Sequence, residues 1–176
     1  MTEDLSRLSL AKIERLAREQ KPRPVERWNP QRCGHSAMRI ARDGSWYHEG
    51  RPIARPALVR LFASILRRES DGSFVLVTPA EKLTIDVEDA PFLAVEVKSE
   101  GEGRERKLAF RLNTGDLVIA GRAHPLRLQG ERPYVAVRGG LEALIARPVY
   151  YELAETALAE GGVWSGGVFF PAGASE

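Results

Sequence analysis

The chain has little of several things, and each shortage excludes something. Cys33 is its single cysteine, so no internal disulfide can form, which fits a reducing compartment. No apolar run approaches the roughly 20 residues that a bilayer-spanning helix needs. The opening stretch, Met1 to Gln20, carries charges throughout and has no continuous apolar segment of the kind a secretory leader uses. A cytoplasmic location and no membrane partner are therefore expected. Lysine is scarce, with 5 residues against 21 arginines among the 26 Lys+Arg. No phosphate-binding Gly-x-x-x-x-Gly-Lys loop, dinucleotide-binding Gly-x-Gly-x-x-Gly, His-Glu-x-x-His or Gly-x-Ser-x-Gly occurs. The commonest motif-bearing enzymes are thereby excluded, and no cofactor is indicated.

What is present is an ordinary folding composition, with 43% hydrophobic and 28% charged residues over 176 positions. The net charge of +2 hides a split. Met1 to Arg68 holds 15 Lys+Arg against 7 Asp+Glu, a balance of +8, and the remainder holds 11 against 17, or −6. Such asymmetry suits an anionic partner for the first half, or attraction between the halves across an internal or dimer interface. The arginines are scattered rather than clustered, which argues against nucleic acid as the partner. A homodimer stays open.

Leu5, Leu8, Ile13 and Leu16 share a helical face, which predicts an amphipathic helix over Glu3 to Arg18, broken by Lys21-Pro22-Arg23-Pro24. Met38 to Ala41 and Trp46 to His48 read as a hairpin around Asp43-Gly44, with a further turn at Glu49-Gly50. Pro56 suits a first helical position, and Leu58, Leu61, Phe62, Ile65 and Leu66 form the apolar stripe of the helix behind it. From Phe74 to Val137 short alternating segments succeed one another with turn signals between them. They predict a mostly antiparallel sheet or open barrel. Two helices, Leu141 to Ala146 and Pro148 to Ala159, close the chain, followed by a docked tail holding Trp164, Phe169 and Phe170. No internal repeat is visible in the sequence.

The reading is an α+β protein of two small subdomains. Residues 1–23 form a helix and linker. Residues 24–88 form a hairpin, helix and strand unit. Residues 89–176 form an antiparallel, β-rich, open barrel-like unit with a closing helix.

Candidate chemistry is sparse. Cys33, His35 and His48 could supply three metal ligands, but Cys33 and His35 lie too close for ordinary zinc spacing and no fourth ligand is evident; no metal site is expected. Asp86, Glu88 and Asp89 form a carboxylate cluster that reads as a solvated strand edge. Thr78-Pro79-Ala80-Glu81 has the form of a capping box, and Lys82 behind it could reach an anion as a point charge. Arg138-Gly139-Gly140, set before an expected helix at Leu141, could present backbone N–H groups and a guanidinium to an anion, or could simply be a tight turn. Trp46 could stack on a planar ligand or pack in the core.

The run Asp43 to Ile53, the segment Leu58 to Leu66, Thr78-Pro79-Ala80-Glu81-Lys82, Asp89-Ala90-Pro91-Phe92, His124-Pro125 and Arg132 to Glu142 together resemble the bacterial family known as domain of unknown function 1285, over about Trp28 to Tyr151. That resemblance implies two small domains in an unusual arrangement with a cleft between them, a nucleotide-like ligand and a signalling role. It carries no catalytic residues with it.

The expected function is a non-catalytic binding protein for a small anionic, nucleotide-like ligand in that cleft. Trp46 would stack, Arg55, Lys82 and Arg138 would meet the anion, Gly139 and Gly140 would donate, and His124 and Tyr134 would line the site. Two alternatives remain: an unfamiliar enzyme using Glu81 or His124 as general base, and a nucleic-acid or protein adaptor using the basic first half.

Overall fold

The computed structural model describes residues 4–173. Among them no helix is long and apolar enough to cross a membrane. The chain is a two-domain α+β protein. One compact unit comprises residues 21–91 with 139–141, and the other comprises residues up to 20, 92–138 and the stretch from 142 onward.

The first unit is built on a six-stranded sheet. Its strands are β1 (Cys33–Ile40), β2 (Trp46–His48), β3 (Arg51–Pro52), β4 (Leu66–Arg68), β5 (Phe74–Val77) and β6 (Lys82–Val87), in the order β3-β2-β1-β6-β5-β4. The hairpin at Asp43-Gly44 forms as the sequence predicts, with Ile40 opposite Trp46. Glu49 and Gly50 join β2 to β3 with φ of 50° and 79°. Two successive left-handed residues give the twist that a two-residue hairpin loop needs. Helix α1 (Pro56–Ser64), the one behind Pro56, starts at that proline, as expected. It stops earlier than its apolar stripe suggests. Ile65 leaves the helical region, and Leu66, fully buried, pairs with Leu76 as the first residue of β4. Strand pairing overrides the local helical pattern there. Val25, in a 3-10 turn over Val25–Arg27, packs on Val75 and Val77.

The second unit carries β7 (Phe92–Glu100), β8 (Lys107–Leu112), β9 (Leu117–Ile119), β10 (Leu126–Arg127), β11 (Tyr134–Arg138) and β12 (Leu141–Ile145) in the order β10-β11-β12-β7-β8-β9. Helix α2 (Arg147–Glu160) follows, ending at Gly161 in the left-handed region. The tail forms a hairpin of β13 (Gly162–Ser165) and β14 (Val168–Pro171), with Val163 and Phe170 buried. The predicted helix over Leu141 to Ala146 is a strand. Its burial alternates residue by residue, and Ala143 to Ile145 pair in parallel with Phe92 to Ala94. Leu, Glu and Ala favour helix locally, but the period-two burial decides.

The two sheets share a topology that the sequence does not betray. Each has two successive three-stranded meanders whose first and last strands pair in parallel at the centre: β1 with β6, and β7 with β12.

The N-terminal segment belongs to the second unit. Of the helix expected over Glu3 to Arg18, Glu3 lies outside the described residues, and the rest divides. Leu5–Arg7 form a 3-10 turn, and helix αN (Leu10–Glu19) starts after Ser9, whose hydroxyl accepts the Lys12 N–H at 3.2 Å. Leu5, Leu8 and Ile13 are buried with Ala109 and Leu117. The Gln20 side-chain amide donates to the Leu117 carbonyl at 2.9 Å and accepts its N–H at 2.6 Å, so it continues the ladder at the edge strand β9.

Candidate functional site

The residues singled out from sequence divide between the two units. In the first unit, Trp46 begins β2 at 2% exposure, stacked on Phe62 of α1 with 6.4 Å between ring centroids. Its indole N–H has no hydrogen-bond partner among the described residues. Arg55 is the N-cap residue of α1 and is exposed; its carbonyl accepts from Leu58 and Val59. The Lys82 ammonium lies 3.7 Å from Glu69, which also accepts from Arg67 at 2.8 Å. Arg67 in turn donates to the carbonyls of Val25 and Trp28, both at 2.7 Å, so Lys82 sits beside a group that ties the 3-10 turn to β4.

Of the capping box expected at Thr78 only the hydroxyl arm forms, and it caps no helix. The Thr78 hydroxyl accepts the N–H groups of Ala80 and Glu81, both at 3.2 Å, and the Thr78 N–H donates to the Glu81 carbonyl at 2.9 Å, closing the β5–β6 turn. Glu81 faces Arg32 at 3.8 Å. Gly139 and Gly140 form a tight turn with φ of 53° and 80°, and the Gly140 carbonyl accepts from Arg68 at 3.2 Å. Because β12 follows, no helix N-terminus stands there, and the helix expected behind these glycines is corrected to the second arm of a hairpin.

The carboxylate cluster is tied to neighbouring cations. Glu88 accepts from the Arg39 guanidinium at 2.5 Å and from the Arg42 N–H at 2.9 Å. The Arg42 backbone N–H, with Arg39 beside it, holds the Glu88 carboxyl below the usual carboxylate range. Asp86 lies 3.9 Å from the His35 ring. Cys33 is exposed on β1, and no group of three or more His, Cys, Asp or Glu is placed to hold a metal among the described residues.

In the second unit, β11 and its neighbour bring three of the predicted residues together. Strand alternation sets Tyr134, Ala136 and Arg138 on one half-buried face of β11, with Val135 and Val137 buried behind. His124 Nδ1 lies 3.1 Å from the Ala136 carbonyl. A carbonyl only accepts, so Nδ1 is the donor in this contact. Arg127, opposite Tyr134 across the β10–β11 pair, lays its guanidinium over the phenol ring at 4.3 Å and reaches both carboxylate oxygens of Glu142, at 2.9 and 3.3 Å. Arg138 stands over the Phe92 ring at 5.4 Å. Sequence reasoning missed Arg127 and Glu142. The signal was the Leu126-Arg127-Leu128 alternation, which exposes Arg127, but its partner depends on a cross-strand register that no local pattern fixes.

Two six-stranded sheets, each of paired meanders, with an N-terminal helix seated on the second, define a two-domain α+β class. Residues 23–90 match the N-terminal domain model of the domain of unknown function DUF1285, and residues 91–172 match its C-terminal domain model. The chain belongs to the DUF1285 family. It is similar to the crystal structure of a DUF1285 family protein from Silicibacter pomeroyi DSS-3, with 48% identity over 91% of this chain and 93% of that one and a TM-score of 0.81. It is also similar to one from Shewanella baltica OS155, with 27% identity over 68% of this chain and 91% of that one and a TM-score of 0.56. No curated protein matches the chain at a significant level.

Proposed function

We propose that the protein is a non-catalytic binding protein for a small, planar, nucleotide-like anion, taken on the β10–β11 face of the second unit. The observation that supports this is the Arg127–Tyr134 stack at 4.3 Å, on the strand face that also carries Arg138 and next to the strand carbonyl that His124 meets. The outer face of a guanidinium laid on an aromatic ring offers a planar ligand a stacking surface, and Arg138 on the same strand face supplies positive charge for the anion. Glu142 orients Arg127 from the side, so little rotamer freedom is left to lose on binding. No general base is paired with a nucleophile on this face, which suits recognition better than bond breaking.

A thermal-shift screen against nucleotides, cyclic dinucleotides and acidic metabolites tests the reading. A ligand at about a hundred times its Kd adds about 2.7 kcal/mol, which raises the melting temperature by several degrees. Arg138→Ala and His124→Ala should each abolish the rise without lowering the ligand-free melting temperature by a comparable amount. A panel that leaves the melting temperature unmoved, or a shift both variants retain, rules the reading out.

A further inference from the structure

Helices α1 and α2 each expose two large apolar side chains, and the charges around the two pairs are of opposite sign. On α1 the inner side is spent on the Phe62 contact with Trp46 and on buried Ala63. The outer side presents Leu58 and Leu61, exposed to 37% and 47%. Arg55, at the N-cap one turn before Leu58, and Arg60, next to Leu61 in sequence, are both exposed, and neither has an ion-pair partner among the described residues. No acidic side chain occurs between Arg51 and Arg68.

On α2 the buried side is Val149, Leu153 and Ala157. The opposite side carries Tyr151, Glu155 and Leu158 at i, i+4 and i+7, one helical stripe, with Glu152 beside it. Tyr151 is 63% exposed and Leu158 86%. Glu152 and Glu155 are exposed and have no ion-pair partner among the described residues. An exposed large apolar residue alone means little, but two exposed apolar pairs on one chain with neighbouring charges of opposite sign are mutually complementary.

We propose that the protein associates with a second copy of itself through α1 of one copy packed against α2 of the other. Leu58 and Leu61 meet Tyr151 and Leu158, and Arg55 and Arg60 meet Glu152 and Glu155. The charge balance agrees, since the basic partner surface comes from the half with +8 and the acidic one from the half with −6. Each helix offers only two exposed apolar side chains, so the contact belongs to the small, transient class of interfaces and its attraction is sensitive to salt.

Sedimentation of the full chain over a range from about 1 to about 300 µM tests this, with the concentrations set by the micromolar affinity such interfaces have. Three chains are compared: wild type, an Arg55→Glu/Arg60→Glu variant, and a Glu152→Arg/Glu155→Arg variant. Wild type should show a mass rising with concentration, and the rise should shrink as salt is raised. Each variant alone should stay monomeric over the same range, because its two stripes then carry like charges. An equimolar mixture of the two variants should regain association, because every cross-contact pairs opposite charges again. That recovery also proves both variants folded. A wild type that stays monomeric throughout, variants that associate as well as wild type, or a mixture that stays monomeric would overturn the proposal.

Discussion

Ile13→Ala removes three carbon atoms from a side chain with no solvent exposure, set among Leu5, Leu8, Ala109 and Leu117. At about 0.8 kcal/mol per buried carbon the transfer loss is about 2.4 kcal/mol, and the cavity left behind brings the cost to about 3 kcal/mol. The cost should fall on one region. The N-terminal segment is held to the second unit by this apolar cluster and by a few polar contacts: Gln20 with Leu117, Glu96 with the Leu5 N–H at 3.0 Å, Lys107 with Glu14 at 2.8 Å and Lys98 with the Leu8 carbonyl. Losing its central side chain should let αN open before the rest unfolds. Amide exchange protection over residues 10–19 should then fall by about 100-fold, the factor that about 3 kcal/mol gives. Urea denaturation gives the global loss, which is smaller if the helix undocks first. Arg15→Ala is the control, because its only ion-pair partner among the described residues is Glu19 at 4.0 Å with both side chains more than half exposed; it should change stability by less than about 0.5 kcal/mol. If Ile13→Ala leaves both the stability and the protection of αN and β9 within error of wild type, the helix does not dock where described.

Other consequences can be checked together. Ser165→Ala should cost about 2 to 3 kcal/mol by chemical denaturation, because the buried hydroxyl accepts the Leu108 N–H at 2.9 Å and donates to the Ala120 carbonyl at 2.7 Å, and alanine orphans both. Gly162→Ala should destabilise more than Gly140→Ala, since its Cβ would stand 2.3 Å from the Phe170 carbonyl oxygen, whereas at Gly140 the nearest atom is 3.5 Å away and only the positive φ of 80° is strained. Glu88 has a folded-state pKa below its ordinary value of 4.5, so its contribution is present above about that pH and is lost as pH falls through the lower folded value. Glu88→Gln should therefore lower stability at neutral pH and flatten the acid side of the stability–pH curve, and an unchanged acid limb would refute the assignment.

Local chemistry made part of this fold legible and nonlocal pairing hid the rest. The Asp43-Gly44 hairpin, the Pro56 helix start and the long helix before Gly161 follow from turn and cap residues that act within a few positions. Leu66 and Leu141 to Ile145 were readable as helix because leucine, glutamate and alanine favour it, and their strand state comes from partners ten or more residues away, Leu76 for the one and Phe92 to Ala94 for the other. The shared meander topology and the seat of αN on the second unit rest on the same kind of contact. At the candidate site, His124, Tyr134 and Arg138 could be named as polar groups at strand ends. The Arg127–Glu142 pair could not, because it spans strands whose register the sequence does not spell out.

The ligand face itself can be watched directly. In a backbone and side-chain NMR titration with the nucleotide that gives the largest thermal shift, resonances of His124, Arg127, Tyr134 and Arg138 should move together and saturate with one Kd, and Arg138→Ala should weaken that Kd at least tenfold. Saturable shifts confined to residues away from β10 and β11, or no saturable shift with any member of the panel, would contradict the account.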